Sequence, residues 1–164
     1  YEYIDENGIE ECGMLFDRAT IRIDLIKPHR RSSGLSIPML VPDQSTAQMV
    51  GRSLFVKRYE LMARVRVLRI HDVEKYVVTD EQRIEEYDFD HLELGRERMR
   101  LSVVTGVPTT IEATVRRIHL TVDELPNLVG PLHESRCLGG GRWGYYWPDD
   151  FLWQARAPTG DGTP

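Results

Sequence analysis

Two alternating segments, residues 98–105 and 109–122, constrain this chain more than any other feature, because only one pairing of them keeps every apolar residue on one face. Apolar residues recur at every second position, the pattern of a half-buried strand. A three-residue loop, Gly106-Val107-Pro108, sets Thr105 against Thr109, Val103 against Ile111, Leu101 against Ala113 and Met99 against Val115. A two-residue loop would set Leu101 against Glu112, and a slip of that kind turns the buried face outward. The same register puts Glu112 diagonal to Arg100 and Arg98 directly opposite Arg116. Within the second segment the phase changes at Arg116-Arg117, after which Ile118, Leu120 and Val122 carry the apolar face.

Shorter stretches repeat the pattern. Ile21, Ile23 and Leu25 alternate with polar residues over 18–26, and Leu61, Ala63, Val65 and Val67 do so over 60–70. The latter run slips at Val67-Leu68, which predicts a β-bulge or a bend. Residues 43–51 offer Asp43 or Ser45 as an N-cap and Gly51 as a stop, predicting a two-turn helix. Pro28, Pro38 and Pro42, with Ser32-Ser33-Gly34 between them, predict a surface loop over 27–42. Residues 123–131 read as a turn or a single helical turn, and 158–164 as a mobile tail. At 164 residues one core can bury roughly 70% of the unfolded surface, so residues 1–157 are expected to form a single β-rich domain. The expected fold is mainly β, an antiparallel sandwich or barrel-like sheet with one short helix and an aromatic closing segment.

Composition narrows function mostly by exclusion. The hydrophobic share is 41% and the charged share 29%, ordinary globular usage. A net charge of −5 disfavours general affinity for nucleic acid or anionic membranes. No apolar run is long enough for a membrane helix, and the opening residues are too acidic for a signal peptide. Cys12 and Cys137 lack CxxC spacing and read as thiols in a reducing, cytoplasmic setting, with a bridge between them left open.

Several residue sets were weighed for chemistry. Arg64, Arg66, Arg98, Arg100 and Arg116 form a face that either pairs with carboxylates of this chain, those of residues 80–93 first among them, or takes an anion. Asp88, Asp90 and His91, with His71-Asp72 upstream, match no metal spacing, and His91 on a regular strand would face away from Asp90. His133 and Cys137 would share a face only on a helix, and Gly139-Gly140-Gly141 lacks the Lys-Ser/Thr of a phosphate loop. No catalytic residue, metal or cofactor is assigned.

The strongest candidate is residues 143–153, which hold Trp143, Tyr145, Trp147 and Trp153, with Arg142 beside them. An extended backbone would line Trp143, Tyr145 and Trp147 along one face, suited to a partner's pocket, to a carbohydrate or other flat ligand, or to closing this chain's own core. The reading that follows is a small interaction protein without catalysis, binding another protein through that segment or a sheet edge, with self-association left open. Two alternatives stand behind it: a domain stacking a carbohydrate or other flat ligand on the aromatic row, and a small metal- or carboxylate-dependent enzyme using Asp88, Asp90 and a His or metal.

Overall fold

The structure, a computed structural model, describes residues 1–29, 33–80, 83, 86–95, 99–105, 109–137 and 142–143, without the side chains of His29, Arg142 and Trp143. Along the chain these form β1 (Glu2–Tyr3), α1 (Glu6–Met14), β2 (Thr20–Arg22), a 3₁₀ turn at Ile23–Leu25, β3 (Lys27–His29), β4 (Gly34–Arg52) and β5 (Val56–Ile70). There follow β6 (Val73–Asp80), β7 (Glu86–Gly95), β8 (Arg100–Thr105), β9 (Thr109–Val115), β10 (Leu120–Cys137) and β11 (Arg142–Trp143). The strands are antiparallel and hydrogen-bonded in the order β1-β10-β5-β4-β2-β7-β8-β9-β6, with β3 on β4 and β11 on β10. The order is open at β1 and β6 and does not close into a barrel. This is the mainly-β antiparallel fold that the alternation implied, with one short helix among the described residues at another place than expected.

The chain divides into two compact units, Tyr1–Val41 with Arg66–Leu125, and Pro42–Val65 with Pro126–Pro164. Strands β4, β5 and β10 each begin in one unit and end in the other. The β8–β9 hairpin adopts the register derived from the sequence: Leu101 faces Ala113, Val103 faces Ile111, and Val115 N–H donates to Met99 O at 3.0 Å. Those residues, with Ile21, Ile37 and Leu68, form the core of the first unit, where Phe16 and Phe89 meet at 5.8 Å between ring centroids. In the second unit Leu61, Ala63, Val65, Val129 and Leu132 are buried. The predicted phase change in β5 is real: burial moves from Leu61, Ala63 and Val65 to Leu68 and Ile70 just past the boundary between the units.

Five local expectations are corrected. The strand expected over 18–26 ends at Arg22, and Ile23–Leu25 form a 3₁₀ turn. Residues 43–51 are strand, not helix. Asp43 Oδ1 does accept from Ser45 N–H at 3.0 Å as an N-cap would, but Thr46 Oγ1 accepts from Met62 N–H at 2.8 Å, so these polar groups serve strand pairing. Most of 27–42 is strand as well (β3 and β4), Pro28, Pro38 and Pro42 included. Residues 123–131 lie inside β10, which accommodates Gly130 at φ +148°. Finally, 109–122 is two strands: the chain leaves β9 at Val115 and crosses to β10, held by Arg116 N–H donating to Asp72 O and His71 N–H donating to His119 O.

The one α-helix among the described residues sits where the sequence reading saw only acidity. Asp5 caps α1 by accepting from Gly8 N–H at 2.8 Å, and Ile9, Cys12 and Phe16 recur at helical spacing to enter the core. Gly8 is required there, because a Cβ would lie 2.9 Å from Tyr3 Cβ.

Candidate functional site

The aromatic candidate can be located only at its start. Arg142 and Trp143 form β11, with Trp143 paired to Ser135 and Arg142 to Arg136. Tyr145, Trp147, Trp153, the glycine triplet and the tail 158–164 lie outside the described residues. The β10 strand that receives β11 carries a packed polar cluster of the second unit. Arg136 lies 4.3 Å from the ring centroid of Tyr59 and donates to Glu134 Oε2 at 2.6 and 2.9 Å and to Gln44 Oε1 at 2.5 Å. Glu134 is 1% exposed, so this guanidinium neutralises a carboxylate that burial alone would strongly destabilise.

The arginines considered for anion binding are dispersed. Arg64 pairs with Asp43 at 3.2 Å in the second unit. In the first unit Arg66 pairs with Glu124 at 2.8 Å, Arg100 with Glu112 at 3.5 Å and Arg116 with Glu74 at 3.3 Å. Arg98 lies outside the described residues. The Arg100–Glu112 pair is the diagonal one derived from the register; the partners described for the others come from elsewhere than 80–93. Serine 45, by hydrogen bonding, and then Arg64 hold the Asp43 carboxyl below its usual range, and Arg117 does the same for Asp72 at 2.6 Å.

Asp88 and Asp90 are exposed on β7. A register shift between Phe89 and His91 turns Asp90 and His91 both outward, with His91 Nδ1 3.1 Å from Asp90 Oδ2, against the expectation that they would face apart. No group of three or more His, Cys, Asp or Glu able to hold a metal occurs among the described residues. His71 instead stacks on His119 at 4.3 Å. His133 and Cys137 lie on a strand, where four residues span about 13 Å, so they do not meet. Both cysteines are free thiols, and burial pushes that of Cys12 up to about 12.

Two surfaces went unread in the sequence. The first is the end of the β4–β5 hairpin in the second unit, where Met49, Val50, Leu54 and Phe55 are 57%, 52%, 84% and 71% exposed. The three-residue connection is closed by Ser53 N–H donating to Val56 O at 2.8 Å, which leaves Leu54 and Phe55 at the outermost turn. Arg52, Lys57 and Arg58 are the charged residues between positions 44 and 59, and none pairs with a carboxylate among the described residues. A Ser-Leu-Phe turn flanked by cations was the available signal, obscured by the helix assigned just before it.

The second surface is a groove of about 900 Å³ in the first unit, between α1 and β7. Helix positions 6, 9, 10, 13 and 14 face it, so Glu6 and Glu10 stand on its rim while Ile9 lies at its floor with Leu92, Leu94 and Met99. Asp17 and Asp90 extend the acidic rim, each beside one basic group, Arg18 at 3.3 Å and His91. A sheet edge is present too: β6 is bonded to β9 alone among the described residues and exposes Tyr76 and Val77, with a bulge at Glu74 and a charge at Lys75 interrupting it.

No protein-family model, curated protein or solved structure matches this chain. No helix among the described residues is long and apolar enough to cross a membrane.

Proposed function

We propose that this protein is a non-catalytic interaction module that engages another protein through the apolar end of its β4–β5 hairpin. The observation that carries the reading is the exposure of Leu54 and Phe55, at 84% and 71%, beside Met49 and Val50. Single exposed apolar residues are ordinary, but four within positions 49–55 at one hairpin end are a concentration, and exposed apolar surface of that kind marks contact surfaces. The hairpin connection is closed by backbone hydrogen bonding that asks nothing of the Leu54 or Phe55 side chains. Strand β11, where the aromatic segment begins, belongs to the same unit, and the segment supplies a second contact in this reading. Two free thiols fit a reducing, cytoplasmic setting.

A photo-crosslinking amino acid at position 55, in protein made in its native host, tests the proposal. A discrete protein adduct that disappears when the same group is moved to exposed Arg116 is the expected result. Absence of any position-55 adduct overturns the reading.

A further inference from the structure

We propose that the hairpin end of one copy docks into the acidic groove between α1 and β7 of a second copy. This names the partner for the interaction surface proposed above and rests on that reading.

The two surfaces match in two independent ways. In charge, the hairpin end carries Arg52, Lys57 and Arg58 with no acid between positions 44 and 59, while the groove rim carries Glu6, Glu10, Asp17 and Asp90. Neither Glu6 nor Glu10 has a cationic partner among the described residues, nor do the three hairpin cations have an anionic one. In apolar content, Leu54 and Phe55 project from the hairpin, and Ile9, Leu92 and Met99 pave the groove. The groove volume of about 900 Å³ accommodates both side chains, and it lies within the roughly 300–1,000 Å³ of sites that enclose a drug-sized group.

Charge also selects the geometry. Two hairpin ends repel each other, and so do two grooves, which disfavours a two-fold contact of either surface with itself. The permitted contact is end to groove. Exposed ion pairs around an apolar centre are screened by salt, so the association weakens as ionic strength rises.

Sedimentation velocity on four samples tests this: the native chain, a hairpin variant (Phe55→Asp with Lys57→Glu), a groove variant (Glu6→Lys with Glu10→Lys), and the two variants mixed. The native chain is expected to associate with rising concentration, and each variant alone to associate at least tenfold more weakly. The mixture is expected to form a one-to-one pair that stops there, because one partner keeps the intact groove and the other the intact end. A native chain that stays monomeric, self-association indifferent to either pair of changes, or a mixture that fails to pair overturns the proposal. Should a charge reversal unfold the chain by circular dichroism, Phe55→Ser and Glu6→Gln with Glu10→Gln replace it with the same expectations. The crosslinking experiment separates the two levels of the argument. An adduct at a multiple of the chain mass agrees with self-docking; an adduct with a different protein overturns self-docking and leaves the interaction reading standing. Binding of the native chain to phosphatidylserine vesicles without self-association or protein adduct overturns both.

Discussion

Replacing Leu54 and Phe55 with serine should leave the fold nearly as stable as before, and the size of the effect follows from exposure. Full burial of a large apolar side chain is worth about 1.5–3 kcal/mol. Leu54 has buried only about a sixth of its surface and Phe55 under a third, which scales to about 0.4 and about 0.7 kcal/mol. The double change should therefore cost about 1 kcal/mol. Leu61, on the same hairpin and 1% exposed, is the internal control: Leu61→Ala should cost about 2–5 kcal/mol through lost burial and the cavity left behind. Urea unfolding followed by far-ultraviolet circular dichroism measures both, with unchanged slope as the sign that cooperativity is preserved. A loss above about 2 kcal/mol for the double hairpin change would refute the reasoning, because the two side chains would then be packed and not presented.

Other consequences can be checked on the same protein. Gly8→Ala should lower the thermal midpoint, although alanine is the better helix former by about 1 kcal/mol, because its Cβ would meet Tyr3 Cβ at 2.9 Å. The carboxyls of Asp43 and Asp72 are held below their usual range by Ser45 and Arg117. Their contribution is therefore complete above the unfolded value of about 3.9 and is lost as pH falls through the folded values; Asp43→Asn should flatten the acid limb of stability against pH. Cys12, buried and pushed up to about 12, should stay inert to an aromatic disulfide reagent at pH 8 until urea unfolds the chain. Prompt reaction of Cys12 in the native protein would contradict its packing in the core.

The parts of the fold legible in the sequence were those in which local alternation and pairing agree. The β8–β9 register could be written down because Leu101, Val103, Ile111 and Ala113 satisfy one another in one alignment only. The phase change in β5 was visible for the same reason, as a defect in an otherwise regular repeat. Residues 43–51 misled because Asp43, Ser45 and Thr46 hydrogen-bond in the manner of a cap wherever the backbone bends, and β5 supplied the partner that made the segment a strand. The helix was missed because it buries only Gly8, Ile9 and Cys12, with Phe16 just past its end, set among acidic residues that mask the spacing.

For the candidate site the division is sharper. The amino-acid sequence alone determined that the chain is antiparallel β, how one hairpin aligns, and that Arg100 would find Glu112, because these depend on neighbours along a strand and directly across it. Only the tertiary structure decided that Arg64, Arg66 and Arg116 each meet a carboxylate distant in sequence, and that a shift in β7 turns Asp90 and His91 to one side. It also decided that Leu54 and Phe55 stand in solvent while Leu61 is enclosed. Apolar residues look alike in a sequence; whether one is core or contact surface depends on what the rest of the chain brings to cover it, and that is settled by long-range pairing.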